Sequence, residues 1–214
     1  MLRVNVGCGQ TPTRGWKNFD NSTSLRLARL PWLTSVLRRL GLLDARQYAF
    51  IQFARVNAVE YGDAVGGLPL ADGSVDVLYS SHMLEHLDRE QVAAFLREAR
   101  RVLRSGGTLR VSVPDLRRQV DRYLASGDAD AFVAGTELAG PRPKGWMRRL
   151  RALLVGSRNH QWMYDGESLR RLLAGASFVD ICLLPAGQTT IDAPDALDLQ
   201  ERSDESVYLE ARKV

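Results

Sequence analysis

The first residues with an evident chemical use are two glycines that end the first apolar stretch of the chain. Residues 2–9 read Leu-Arg-Val-Asn-Val-Gly-Cys-Gly, so a run that is rich in valine leads directly into Gly7 and Gly9. Glycine accepts a positive φ and lets a ligand approach the backbone closely. Ligands of open α/β sheets bind outside the carboxyl ends of the strands. The turn therefore predicts a cradle for a small molecule.

Three aspartates that follow predicted strands are candidate polar contacts to such a ligand: Asp20, Asp63 and Asp115. A carboxylate at a strand end accepts hydrogen bonds from ribose hydroxyls or an exocyclic amine, whereas a lone aspartate more often caps a helix or a turn. Asp20 and Asp63 flank the glycine strand in the expected sheet order. That position favours a binding role for these two.

The chain has three histidines, and two of them lie in a motif that matches the H-x-x-E-H pattern of inverted zincins, residues 82–86. Zinc would need both histidines on one helical face and a third ligand. The motif instead starts at a strand end, before the helix cap predicted at Asp88. We therefore expect no metal here, with His82 facing the ligand and Glu85 and His86 making local hydrogen bonds.

Histidine is also the natural general base near neutral pH. His160 is the first candidate for a catalytic base because it stands beside Trp162 and Tyr164 in a long irregular segment. A role in ordering that segment is an equally good interpretation. His82 is the second candidate and fits a positioning role.

Positive charge is concentrated in two stretches of a chain with net charge +4 and 25% charged residues. The members are Arg26, Arg29, Arg38, Arg39 and, further on, Arg142, Lys144, Arg148, Arg149, Arg151, Arg158. Such clusters steer anionic substrates, nucleic acid or a membrane surface, and a solvated helix face has the same pattern. Arg148, Arg149 and Arg151 are the candidates for binding a carboxylate or phosphate of a substrate, with Trp162 and Tyr164 beside it.

Around these residues, predicted strands at 2–6, 16–20, 56–61, 75–80 and 108–113 alternate with helices, and two final strands lie at 178–184 and 207–211. This alternation indicates a mostly parallel, doubly wound sheet with a partly antiparallel end. The connection 7–15 is unusually short for a parallel crossover. Residues 24–46 are predicted to be helical, in one piece or split at Pro31, with an apolar stripe from Trp32 to Leu40 that leaves peripheral membrane contact open.

The length of 214 residues fits one domain, 1–214, with a helical insert at about 22–54 and a basic, lid-like insert at about 127–165 that is irregular in pattern. The sequence has neither a secretory pattern nor an apolar run of membrane-spanning length. Its two cysteines, Cys8 and Cys182, lie far apart. We expect a cytoplasmic protein without disulfides.

Several short motifs, in this order, resemble class I S-adenosylmethionine-dependent methyltransferases over residues 2 to about 125. They are Val-Asn-Val-Gly-Cys-Gly (4–9), Gly-Trp-Lys-Asn-Phe-Asp (15–20), Gly-Asp-Ala (62–64), Leu-Pro-Leu-Ala-Asp-Gly-Ser-Val-Asp (68–76), Ser-Ser-His-Met-Leu-Glu-His-Leu (80–87) and Arg-Val-Leu-Arg-Ser-Gly-Gly (101–107). The tail is similar to a small, type 11-like branch, in His-Gln-Trp-Met-Tyr (160–164) and Glu-Ser-Val-Tyr (205–208).

The resemblance implies an α/β, Rossmann-like, doubly wound three-layer sandwich with a seven-stranded, mostly parallel sheet and an antiparallel last strand. It implies methyl transfer from S-adenosylmethionine, with S-adenosylhomocysteine as product. Asp20 would bind the ribose hydroxyls. The other implied cofactor contacts are Gly7, Cys8 and Gly9 along the methionine and ribose, Asp63 and Ala64 at the adenine, and Ser80, Ser81 and His82 at the methionine end. Asn5 stands where the family often has an acid that helps to place the cofactor's ammonium group.

The expected acceptor is an oxygen or nitrogen of a small or medium molecule, anionic or glycan-related, while the oligomeric state is left open. A nucleic-acid methyltransferase is an alternative that the basic stretches permit, although no Asn/Asp-Pro-Pro-Tyr/Phe motif occurs. A non-catalytic cofactor-binding partner subunit is another. A dehydrogenase fits poorly because Pro12 stands where its fingerprint has a third glycine.

Overall fold

The computed structural model describes residues 1–28, 30–43, 45–138 and 159–214, and its centre is a seven-stranded sheet. The strands are β1 Arg3–Val6, β2 Lys17–Asp20, β3 Val59–Tyr61, β4 Val75–Ser81, β5 Leu103–Pro114, β6 Phe178–Leu184 and β7 Ser206–Lys213. Their order is β3-β2-β1-β4-β5-β7-β6. The first five strands pair in parallel, and β7 runs antiparallel to both of its neighbours. The predicted fold class is confirmed.

Helices of the described residues flank this sheet. They are α1 Thr23–Ala28, α2 Pro31–Arg39, α3 Ala45–Val56, α4 Arg89–Val102, α5 Leu116–Ser126, α6 Ala129–Thr136 and α7 Gly166–Gly175, with a 3₁₀ turn at Leu84–His86. In the described part of the chain, none of the helices combines the length and apolar character that crossing a membrane would need.

The core lies between the central strands and α4. Leu78 and Leu109, at the centre of β4 and β5, are both fully buried there. In the same core α4 buries its whole predicted apolar stripe: Val92, Phe95, Leu96, Ala99 and Val102. Helix α4 begins at the predicted capping box, in which the Asp88 side chain accepts from the Gln91 N–H and the Gln91 side chain accepts from the Asp88 N–H. This cap fixes where the helix that follows β4 begins.

The short connection between β1 and β2 contains no helix, yet the two strands pair in parallel with Val4 opposite Lys17. Buried side chains hold the loop together. The Asn5 amide donates to the Thr11 carbonyl and to the Thr13 hydroxyl, and Asn18 bonds both the N–H and the carbonyl of Thr13. These bonds replace the crossover helix.

Some predicted boundaries are wrong, among them the start of β5, which is Leu103 and not residue 108. Helix α3 runs on to Val56, so β3 begins only at Val59. The helical segment predicted at 24–46 divides at Pro31, which is one of the two expected alternatives, and α3 follows it from Ala45. Residues 129–136, predicted to be irregular, form α6, because Asp128 caps this helix by accepting from the Ala131 N–H.

Candidate functional site

A cavity of about 520 Å³ opens at the carboxyl ends of β1, β2 and β4, the edge at which the sequence predicted a cradle. Its lining combines backbone turns, carboxylates and histidines: Gly7, Asp20, Asn21, Gly62, Asp63, Ala64, Val65, His82, Met83, His86, Leu87, Asp88, Gln91 and Gln161. Of the predicted site residues, Gly7, Asp20, Asp63, Ala64 and His82 therefore share one cavity.

The glycine turn requires glycine at its first position. Gly7 has a φ of +68°, and a Cβ added there would lie 2.6 Å from the Met83 Sδ and 2.8 Å from its Cγ. The N–H groups of Gly7 and Cys8 both donate to the Phe19 carbonyl, which ties the turn to the end of β2. The backbone of Gly7 thus faces the cavity without a side chain in front of it.

Two carboxylates that follow neighbouring strands line the same cavity as this turn. The Asp20 carboxylate accepts from the Gly9 N–H at 3.1 Å and from the Ser22 N–H at 2.8 Å, while Asp63 accepts from the Val65 N–H at 3.0 Å. Gly9 itself lies outside the cavity lining. Within the described residues neither carboxylate forms a salt bridge. They therefore give the cavity negative potential and free acceptor positions, which suit hydroxyl donors and a cationic ligand.

Four other predicted cofactor residues, Asn5, Cys8, Ser80 and Ser81, are buried and lie outside the cavity lining. Asn5 holds the β1–β2 loop, and its Oδ1 has no hydrogen-bond partner among the described residues. Burial, with the charge of Asp20 adding to it, raises the pKa of the Cys8 thiol to about 12. Cys8 is therefore a packed, unreactive thiol.

His82 follows β4 in a left-handed conformation, with φ of +47°. Its Nε2 lies 2.8 Å from the Ser206 Oγ, and its Nδ1 lies 3.0 Å from Nη1 of Arg202. Because the arginine is only a donor, Nδ1 accepts and Nε2 carries the proton that goes to Ser206. Both ring nitrogens are engaged, which favours positioning over proton transfer.

The residues predicted for the acceptor side are not brought together. His160 is buried behind the cavity, with Nδ1 2.8 Å from the Thr136 carbonyl, and its neighbour Gln161 reaches the lining instead. Trp162 lies in a second groove, with the Arg89 guanidinium 5.1 Å from its ring centre. Burial raises the pKa of the Tyr164 phenol, and the nearby Arg89 guanidinium opposes this in part.

The predicted anion-binding residues Arg148, Arg149 and Arg151 lie outside the described residues. Asp115, the third aspartate at a strand end, caps α5 by accepting from the Arg117 N–H, and it does not line the cavity.

Sequence reasoning missed several lining residues. Met83 and His86 belong to the motif at 80–87, and their place after a buried strand is the signal that could have found them. Asn21 and Gln161 come from loops whose sequence carries no periodic pattern, so only the folded chain places them beside the cavity.

Comparison with known proteins agrees with this geometry. Residues 41–111, about a third of the chain, match the family model of a methyltransferase domain. A SAM-dependent methyltransferase from Methanosarcina mazei is similar in fold, with TM-score 0.53 and 16% identity over 100% of this chain and 92% of that one. Another from Thermotoga maritima has TM-score 0.50 and 18% identity over 100% and 82%.

No curated protein matches the sequence closely. At these identities the solved structures show the fold, and the family-model match shows that residues 41–111 are similar to a methyltransferase domain. The chain has the fold of class I S-adenosylmethionine-dependent methyltransferases, and its residues 41–111 are similar to a methyltransferase domain.

Proposed function

We propose that the protein is an S-adenosylmethionine-dependent methyltransferase that modifies an oxygen or nitrogen of a small or medium-sized acceptor. Its cofactor would lie in the cavity beside Gly7, Asp20 and Asp63. The observation that carries the proposal is the convergence of this open glycine turn and the two carboxylates on one cavity. Its volume of about 520 Å³ lies within the roughly 300–1,000 Å³ of ordinary small-molecule sites.

The fit to S-adenosylmethionine follows from the donors and acceptors present. Asp20, at the end of β2, would accept from the ribose hydroxyls, and Asp63 with the Ala64 backbone would hold the adenine. Gly7 lines the cavity and packs directly against Met83, so a larger residue there would displace a lining side chain, while the backbone of Gly7 is available to the methionine and ribose. The turn continues through Gly9, whose N–H already holds Asp20 in place.

When bound, the cofactor supplies a methyl group on a sulfonium, which is a good leaving group. The protein's task is therefore to align donor and acceptor and to exclude water, an effect worth about 7–11 kcal/mol in favourable cases. Hydrogen bonds with Ser206 and Arg202 hold the His82 ring in place, so His82 would serve to position the bound molecules. An amine acceptor would need no base, whereas a hydroxyl acceptor would need help with its proton.

The acceptor is inferred to be anionic from the basic sequence around Arg148, Arg149 and Arg151, and the family resemblance adds a glycan-related acceptor as a second possibility. Arginine suits carboxylates and phosphates because its planar fork forms two parallel hydrogen bonds. The cytoplasmic location is likewise kept as a proposal from the sequence.

Transfer of labelled methyl groups tests this proposal on a panel of sugar phosphates, carboxylated metabolites, amines and oligonucleotides. With an acceptor that is methylated, the KM for that acceptor should rise, and the cofactor affinity should stay unchanged, in the variants Arg148→Ala, Arg149→Ala and Arg151→Ala. Arg117→Ala, on the exposed face of α5, is the matched control and should change neither.

Equal loss of acceptor and cofactor binding would contradict the role of the three arginines. Cofactor binding without turnover over the whole panel would favour a non-catalytic partner subunit. Transfer only to oligonucleotides would favour a nucleic-acid methyltransferase.

A further inference from the structure

All three histidines of the chain approach one buried acidic residue, Glu85 in the 3₁₀ turn. Its side chain is 1% exposed, and one carboxylate oxygen lies 3.3 Å from the His82 Nδ1. The Glu85 backbone carbonyl accepts from the N–H groups of Gln161 and Trp162, at 2.6 and 3.2 Å. This pairing brings the segment that begins at His160 against the turn.

The Glu85 carboxylate lacks a donor among the described residues, although both oxygens are buried. His82 does not supply one, because its Nδ1 already accepts from Arg202. A buried carboxylate is costly unless it is paired, hydrogen-bonded or bound to a metal. The site is therefore built as if for a cation.

Two histidines complete the surroundings of this carboxylate. His160 donates from Nδ1 to the Thr136 carbonyl, so its Nε2 keeps the free lone pair, and a metal-binding histidine is commonly held in this way. His86 has a buried Nδ1 without a partner in the described part of the chain, and its ring centre lies 5.0 Å from that of His160. One ligand atom from each of Glu85, His86 and His160 lies within 4.8 Å of the others.

We propose that Glu85, His86 and His160 bind one divalent transition-metal ion, of the zinc class, at the wall of the cofactor cavity. A tetrahedral ion with bonds of about 2.0–2.1 Å holds its ligands about 3.4 Å apart, so ligand atoms that lie up to 4.8 Å apart need to approach one another by up to about 1.4 Å. Two histidines and a glutamate form a known zinc ligand set that leaves a fourth position open. His86 lines the cavity, so the metal site borders the space proposed for the cofactor.

This ligand set differs from the H-x-x-E-H interpretation of the sequence, in which His82 and His86 would share the metal. His82 is instead engaged with Ser206 and Arg202, and the third ligand comes from a distant part of the chain. The exposed carboxylate of Glu137, 3.8 Å from the His160 Nε2, is another charged group beside the site.

An ion in this place would act as a Lewis acid toward an oxygen or nitrogen of the acceptor and lower the pKa of a bound hydroxyl. That use rests on the proposed function. Metal binding itself does not, and it is measured without the cofactor.

The test is binding of Zn²⁺ alone and of Co²⁺ alone to the full chain after treatment with a chelator. We expect one ion per chain by elemental analysis, and Co²⁺ absorption bands typical of four-coordinate nitrogen and oxygen ligands. His86→Gln should weaken binding by more than about 100-fold, since changes to outer-shell partners alone cost about 10–100-fold. His82→Gln changes a neighbour of Glu85 that is not a ligand, so it should weaken binding less than His86→Gln does and keep one ion per chain.

Circular dichroism establishes that each variant is folded. Absence of a stoichiometric ion from the wild-type chain would overturn the proposal. So would equal loss in the His82 and His86 variants, or a Co²⁺ spectrum of octahedral, water-like type. If His86→Gln fails to fold, the wild-type stoichiometry and spectrum decide alone. Because cofactor titration is a separate measurement, failure of the metal site is distinguishable from failure of the methyltransferase proposal.

Discussion

Met83 packs against the glycine turn so closely that one methyl group at Gly7 decides whether the cavity keeps its shape. Gly7 also has a positive φ, which disfavours any other residue. Met83 lines the cavity. A methyl group at Gly7 would therefore displace a side chain that borders the space proposed for the cofactor.

Gly7→Ala should therefore lower cofactor affinity by about tenfold or more, with a smaller loss of stability of roughly 1 kcal/mol from the strained backbone. Calorimetric titration with S-adenosylmethionine measures the first effect. Gly175→Ala is the control, because a Cβ there meets nothing within 4 Å and its φ is not positive. Equal affinity of the Gly7 variant and the wild type would contradict the cradle.

Helix α7 shows how an element outside the cavity lining is fixed by the residue that precedes it. The Asp165 carboxylate accepts from the Ser168 N–H, and the Ser168 hydroxyl oxygen accepts from the Asp165 N–H, so the two residues form a capping box. Leu169 and Leu173 are buried on the inner face of the helix. The hydrogen bond from the Ser168 backbone, more than any other influence, lowers the pKa of Asp165 below its usual value. This group therefore stabilises the fold above its unfolded pKa, and the contribution is lost as pH falls through the folded pKa.

Asp165→Ala should reduce the free energy of unfolding by about 1 kcal/mol, the usual cost of a lost N-cap. Asp165→Asn keeps an acceptor oxygen and should lose only a few tenths of that at pH 7. Urea unfolding compares the two. An alanine variant as stable as the asparagine variant would mean that the cap does not hold α7.

The sequence predicted the strands and α4 well because valine-rich runs, glycine punctuation and the Asp88 cap are local signals. It failed where tertiary contacts decide. No local pattern around Asn5 indicates that its side chain would hold a connection without a helix. Gly127 and Gly135 disfavour a helix in the sequence pattern, so the helix that Asp128 caps was not predicted.

The same distinction applies to the site. Gly7, Asp20 and Asp63 follow strands and were predictable, whereas His160 was predicted from its neighbours in sequence and lies behind the cavity. His160 lies near Glu85 because the N–H groups of Gln161 and Trp162 bond the Glu85 carbonyl, a contact between loops that no sequence pattern predicts.

At the scale of the whole molecule, a buried ion pair joins the parallel part of the sheet to its antiparallel end. Arg110 of β5 and Glu210 of β7 lie 2.5 Å apart, with side chains 0% and 1% exposed. Burial raises the pKa of Glu210, but hydrogen bonds from Thr189, Thr190 and Arg110 outweigh it and hold the pKa below its usual value. Removing one partner would leave the other charge buried and unpaired.

Glu210→Gln should therefore cost about 3–5 kcal/mol, whereas Glu167→Gln, in an exposed pair with Arg171, should cost less than about 1 kcal/mol. Because the pKa of Glu210 is depressed, its contribution is complete above the unfolded pKa of about 4.3 and falls as pH drops through the folded value. Between pH 7 and pH 3, the free energy of unfolding measured in urea should fall less for Glu210→Gln than for the wild type. Parallel pH profiles would contradict this account.

We propose above all that the cavity at the carboxyl ends of β1, β2 and β4 binds S-adenosylmethionine through Asp20 and its neighbours. Calorimetric titration of the wild type, Asp20→Asn and the exposed control Asp192→Asn tests it most directly. We expect one cofactor per chain in the wild type and the control, a loss of about 10–100-fold in Asp20→Asn, as for hydrogen bonds to a charged group, and no binding of NADH. Unchanged affinity in Asp20→Asn, or binding of NADH in place of S-adenosylmethionine, would contradict the account.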